Sequence, residues 1–116
     1  MRNDKDNVIV KLTFNFSLGI MRFAEELDAQ RKFVFANQIL KAGTSIGANV
    51  REAQNAESKA DFIHKMKIAA KEADEVEYFL ELCKESETYP FQQELLDTTG
   101  TIIKILSKII SSSKGQ

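Results

Sequence analysis

The stretch from residue 58 to residue 86 carries an apolar stripe that constrains the fold more than any other feature of the chain. Its members are Phe62, Met66, Ala69, Ala73, Val76, Leu80 and Cys83, spaced 4, 3, 4, 3, 4 and 3 residues apart. Three heptads of this spacing indicate a long helix that packs along its whole length against other helices. Ser58 suits an N-cap, and Asp61 places an acid in the first turn, where the helix dipole favours negative charge. The spacing predicts a helix over residues 58–87.

Three other segments show the same periodicity, over residues 6–28, 33–55 and 90–112. Their stripes are Leu12, Phe16, Ile20, Phe23 and Leu27; Ile39, Ala42, Ile46, Asn49 and Ala53; and Phe91, Leu95, Thr98, Ile102, Ile105 and Ile109. The last segment is rich in β-branched residues, but its polar residues recur at three and four rather than at two, and Pro90 suits a first helical position. Four helices joined by short links predict one all-α domain spanning 1–116, an antiparallel up-down-up-down four-helix bundle.

Few residues in the chain could support catalysis or metal binding. A di-iron site in a bundle needs two Glu-x-x-His pairs and a zinc site needs several Cys or His ligands, whereas the chain has one histidine, His64, and one cysteine, Cys83. The glycines Gly43 and Gly47 do not form a phosphate loop, because no Lys-Ser/Thr follows them and no strand precedes them. We therefore expect no enzymatic activity, no metal, no cofactor and no small-molecule substrate.

The chain also lacks features of secreted and membrane proteins. A single cysteine cannot form an intramolecular disulfide, and the start "MRNDKDN" is polar where a signal peptide would be apolar. No run of 18 apolar residues is present. We expect a cytoplasmic protein without a membrane partner.

The first and last helices each carry a second apolar stripe. Its residues are Val10, Phe14, Leu18 and Met21 in the first helix, and Leu96, Thr99, Ile103, Leu106 and Ile110 in the last. A helix of an isolated bundle needs one apolar face, so the extra stripes, Thr99 aside, predict a homo-oligomer interface. Two alternatives remain at this point: a single broad core-facing stripe, or an interfacial membrane helix formed by "TIIKILSKIISSSK".

The second helix combines small and polar residues at its centre. Gly43 and Gly47 lie one turn apart and predict a close approach of a neighbouring helix. Gln38, Lys41, Ser45, Asn49 and Glu52 form a polar track along one side, which Glu75 of the third helix could meet. The track fits either a buried hydrogen-bond network that fixes helix register or a contact surface for a ligand or RNA. We favour the network, because these side chains can satisfy one another.

The region from Gln38 to Leu80 is similar to a known family, the small four-helix-bundle proteins encoded by intervening sequences within bacterial 23S rRNA genes, also called the S23 ribosomal protein family. The matching positions are Gln38, Lys41 (in place of the usual Arg), Ser45, Ile46, Ala48, Asn49, Glu52, Ser58, Lys59, Phe62, Ala69 and Glu75. Many members have Pro where this chain has Gly47 and Gly where it has Ala53. The resemblance implies a four-helix bundle of unknown function. A distantly related branch, the accessory variability proteins of retroelements, implies a pentamer that binds nucleic acid.

Charge is distributed unevenly along the predicted bundle, although the net charge is only -1. Residues 1–11, 49–71 and 100–116 would meet at one end, with eleven basic and five acidic residues, while the other end holds five basic and twelve acidic residues. A basic end attracts a phosphate backbone, and the candidate RNA-binding residues are Lys59, Lys65, Lys67, Lys71, Lys104 and Lys108. The alternatives are a solvated dipolar bundle, stacking of opposite ends, and a protein-interaction or scaffolding module without RNA.

Overall fold

The computed structural model describes residues 7–115, which form four α-helices and contain no strand. The helices are α1 (Val8–Ala29), α2 (Phe33–Ala53), α3 (Lys59–Glu85) and α4 (Gln93–Lys114). Each helix packs against the next in the chain, and a sparser contact between α1 and α4 closes the bundle. The bundle measures 47 × 22 × 22 Å. The predicted all-α four-helix bundle is confirmed.

The helix ends follow from local hydrogen bonds. The Asn7 side chain caps α1 by accepting from the Val10 amide (3.3 Å), and Ser58 caps α3, as predicted, by accepting from the Asp61 amide (3.0 Å). The predicted start of α1 at residue 6 lies outside the described residues. The prediction that Pro90 is the first residue of α4 is wrong. This proline lies in the connection before Gln93.

The core lies along the predicted stripes. In α3 the stripe from Met66 to Cys83 is buried throughout, and Phe62 is half-buried at its start. The buried hydroxyls of Thr13 and Thr99 donate to carbonyl groups of their own helices, Ile9 at 2.8 Å and Leu95 at 2.6 Å, so neither needs an interhelical partner. None of the helices within residues 7–115 combines the length and apolarity that crossing a membrane requires.

The second stripe of α4 is part of the core and not an outer face. Leu106 is fully buried, and Leu96, Ile103 and Ile110 are partly buried against the core cluster. In α1, Val10 is buried as well. The prediction that Leu106 lies at an oligomer interface is therefore wrong, because its side chain is already covered within the protomer, whereas Val10, 7% exposed, lines a groove between α1 and α2. For α4, the alternative of one broad core-facing stripe describes the structure.

Candidate nucleic-acid interface

The antiparallel arrangement brings the start of α1, the end of α2, the start of α3 and the end of α4 to one end of the bundle. Two side-chain contacts link three of these four helix ends, those of α1, α2 and α3: Asn7 Nδ2 donates to Gln54 Oε1 (2.9 Å), and Lys65 Nζ lies 3.2 Å from Glu52 Oε1. We call the described residues 7–11, 49–71 and 100–115 the basic end. They include nine basic and three acidic residues. Arg2, Asp4, Lys5 and Asp6, which were also assigned to this end, lie outside the described residues.

Two lysines face each other where α3 begins and α4 ends. The Lys114 side chain lowers the pKa of Lys67 below its usual value, first because a hydrogen bond from the Lys114 ammonium favours the neutral form of Lys67, and then through charge repulsion. Both side chains are exposed. Neighbouring positive charges attract an anion, because its charge offsets their repulsion.

Most of the predicted RNA-binding lysines are exposed at the basic end. The exposed ones are Lys59, Lys67, Lys71, Lys104 and Lys108. Lys65 differs, since it is half-buried and paired with Glu52. Lys114 was not among the predicted binding residues, although it lowers the pKa of Lys67. Its place in the last turn of α4, opposite the start of α3, is the signal that could have identified it.

The polar track of α2 does not form the buried interhelical network that we predicted. Gln38, Lys41, Glu52 and Glu75 are exposed, and Ser45 and Asn49 are half-buried. Ser45 Oγ donates to the Lys41 carbonyl (2.7 Å), and Asn49 Nδ2 donates to the Ser45 carbonyl (2.9 Å), so both bond within their own helix. The prediction failed because a short polar side chain in a helix reaches the carbonyl one turn earlier more easily than it reaches a neighbouring helix.

The pKa of a carboxyl group on α3 reflects the charges near this track. The pKa of Glu72 is raised, first by partial burial and then by repulsion from Glu75, while Lys71 and Lys41 act in the opposite direction. Lys41 of α2 therefore acts on Glu72 across the α2–α3 boundary, and Glu75 faces a like charge on its own helix. This surface of α2 and α3 is charged and open to solvent.

The two glycines of α2 face α1. A Cβ atom built on Gly43 would lie 2.7 Å from Ile20 Cγ2, and one built on Gly47 would lie 3.2 Å from the Thr13 carbonyl oxygen. The first distance is shorter than side chains tolerate, so Gly43 permits the approach of α1 that the structure shows. These residues determine how closely two helices pack, and no ligand is needed to explain them.

The outer face of α1 keeps an apolar strip that the bundle does not cover. Phe14, Leu18 and Met21 are exposed at 54%, 40% and 48%. Beside Phe14, a groove of about 740 Å³ runs between α1 and α2. The groove is lined by Val10, Lys11, Phe14, Asn15, Ser17, Thr44, Gly47, Ala48 and Arg51. An exposed apolar strip next to a groove is typical of a protein-binding surface.

Comparisons with known proteins agree with the motif between Gln38 and Glu75. A family model described as 23S rRNA-intervening sequence protein matches residues 5–111. A solved structure from Bacteroides thetaiotaomicron VPI-5482, a protein with unknown function from the S23 ribosomal protein family, is 44% identical with a TM-score of 0.84. That match covers 92% of this chain and 98% of the other. None of the curated proteins matches. The family resemblance seen in the sequence is confirmed.

Proposed function

Because the chain belongs to the family of 23S rRNA-intervening sequence proteins, we propose that it is a non-enzymatic, cytoplasmic homo-oligomer that associates with RNA through its basic end. The observation that carries this proposal is the excess of basic over acidic residues at the basic end, nine against three, with Lys67, Lys71 and Lys114 among the exposed ones. A concentration of exposed positive charge adds nothing to stability, and it attracts a phosphate backbone.

The physical basis of the proposed binding is release of counterions from RNA. Lys71, Lys104 and Lys108 are exposed on the two helices that hold Lys67 and Lys114. Each lysine that neutralises a phosphate releases a condensed cation, and binding weakens as salt rises. Such contacts position a backbone without reading bases, so the proposal predicts binding with little sequence preference.

Self-association would increase the number of contacts between lysines and RNA phosphates in one complex. Phe14, Leu18 and Met21 supply an exposed apolar strip that a second copy could cover. In a ring whose members point in one direction, the basic ends would form one continuous positive face. The resemblance to retroelement accessory proteins favours a pentamer. The buried, unpaired thiol of Cys83 suits a reducing compartment such as the cytoplasm.

The proposed RNA association is tested by fluorescence anisotropy with a labelled stem-loop RNA at 50 and 200 mM salt. In the variant K67E/K71E/K108E we expect the affinity to fall by at least about tenfold. The slope of log K against log salt should also decrease by about 3, one unit for each lysine removed. The matched control R22E/K41E/K84E makes the same change in net charge, using exposed residues outside the basic end.

Equal losses in the two variants would mean that total charge, and not the basic end, controls binding. Unchanged affinity in K67E/K71E/K108E would exclude the proposed site. The second candidate function, a protein-interaction or scaffolding module without RNA, is favoured by the groove between α1 and α2. It predicts no salt-dependent RNA binding by the wild-type protein.

A further inference from the structure

The groove between α1 and α2 is apolar along its length and basic at one end. Phe14, Val10 and Ala48 contribute its apolar surface, while Lys11 and Arg51 lie where it reaches the basic end. The two hydroxyls in the groove are occupied, because Ser17 Oγ donates to the Thr13 carbonyl (3.0 Å) and Thr44 Oγ1 to the Leu40 carbonyl (2.7 Å). The groove therefore suits a partner surface whose apolar side chains are flanked by negative charges.

The outward face of α3 has these properties. Tyr78 and Leu82 lie one turn apart and are exposed at 59% and 43%. Around them the exposed carboxylates are Asp74, Glu75, Glu81 and Glu85. We call these six residues the α3 ridge. Residues four apart on a helix stand one above the other, so Tyr78 and Leu82 form a continuous apolar contact between charged flanks.

We propose that the groove between α1 and α2 receives the α3 ridge of a second copy of the chain. Tyr78 and Leu82 would pack against Phe14 and Ala48, and the carboxylates of the ridge would face the basic end of the groove. Apolar anchors supply most of the binding energy in such a contact, and complementary charges determine its orientation. This proposal rests on the homo-oligomer of the proposed function and identifies the two surfaces that meet.

The contact would join two different surfaces, so it is heterologous. Such contacts close into a ring or continue as a helical filament, depending on the rotation between neighbours. The groove lies toward the basic end and the ridge in the half of α3 nearer the other end, in a bundle 47 Å long. If neighbouring copies in a ring have parallel bundle axes, they must therefore be tilted or staggered along those axes to bring the groove and the ridge together. An isologous pairing of two α1 strips would leave the α3 ridge uncovered.

Mixing two single-surface variants tests this contact. F14D disables the groove and Y78D/L82D disables the ridge, and all three residues are exposed, so both chains should fold as judged by circular dichroism. Each variant alone should run as a monomer of 13.1 kDa by light scattering. An equimolar mixture should form a dimer of twice that mass, because one intact groove and one intact ridge remain. The control V34D, at an exposed residue outside both surfaces, should assemble as the wild type does.

Several outcomes would overturn the proposed contact. A wild-type monomer would exclude both the contact and the homo-oligomer. Normal assembly of Y78D/L82D, or a mixture that stays monomeric, would show that the interface does not use the α3 ridge. The experiment is separate from the RNA proposal, because K67E/K71E/K108E changes neither surface. Unchanged RNA affinity in K67E/K71E/K108E would refute the RNA proposal alone, and normal assembly of Y78D/L82D would refute the proposed contact alone.

Discussion

The α1–α2 and α3–α4 helix pairs differ in what their contacts require: the first leaves no room for a side chain at a glycine, and the second accepts like charges near each other. Between α1 and α2, a Cβ atom on Gly43 would meet Ile20 at 2.7 Å, whereas a Cβ atom on Gly100 of α4 would meet nothing within 4 Å. Across the α3–α4 pair, Lys114 lowers the pKa of Lys67. The first pair is determined by steric fit, which serves stability. The second tolerates electrostatic repulsion, which stability does not require. The surface proposed to bind RNA lies on this second pair.

The largest expected effect on stability is at the α1–α2 contact. G43A introduces a methyl group where Ile20 leaves no room, so we expect a loss of about 1–3 kcal/mol in the free energy of unfolding, measured by urea denaturation. Removing the opposing side chain provides the control. In the I20A background the same G43A change should cost much less, because Cγ2 and Cγ1 of Ile20, at 2.7 and 2.8 Å, are gone and only Cβ, at 3.2 Å, remains. An equal loss in both backgrounds would contradict the steric explanation.

The matched substitution on α4 should act in the opposite direction. G100A adds a methyl group into open space within a helix, where alanine is favoured over glycine. We expect the free energy of unfolding to rise by about 0.5–1 kcal/mol in the same denaturation assay. If G100A destabilises the protein as G43A does, the contrast between the two helix pairs is wrong.

The core of α3 gives a prediction on pH dependence. Burial raises the pKa of the Cys83 thiol from 9.0 to about 11. Between these values the unfolded chain loses the thiol proton while the folded chain keeps it, so stability decreases as the pH rises through this window. Urea denaturation at pH 7 and pH 10 should show a larger decrease for the wild type than for C83A. Parallel decreases in the two proteins would mean that the thiol does not contribute.

The smallest expected effect on stability concerns the lysine pair. K114Q removes the charge that lowers the pKa of Lys67, and should raise the melting temperature slightly at low salt. The difference should disappear at high salt, where exposed charges are screened. RNA affinity should fall in the same variant. A lower melting temperature together with unchanged RNA affinity would show that the pair is structural.

The sequence predicted the fold well because helical periodicity records which residues are buried. The stripe from Met66 to Cys83 and the cap at Ser58 depend on local spacing, and both appear in the structure. Periodicity was less informative for α4. Two adjacent stripes look alike whether they form one broad buried face or two separate faces, and Leu106 proved to belong to the core.

The candidate site was predicted only in part, because side-chain direction depends on tertiary contacts. Lys67 and Lys114 are 47 residues apart, and only the antiparallel packing of α3 and α4 brings them together. Ser45 and Asn49 have the chemistry of an interhelical network, yet they bond to carbonyls of their own helix. Their spacing could not distinguish these outcomes, since both place the residues on the same face.

The most direct test measures RNA affinity and the free energy of unfolding side by side in G43A and K67E/K71E/K108E. G43A should lose stability and, under conditions where it remains folded, keep an RNA affinity within about twofold of the wild type. The lysine variant should keep its stability and lose at least about tenfold in RNA affinity. Wild-type RNA affinity in the lysine variant would contradict the assignment of RNA binding to the basic end.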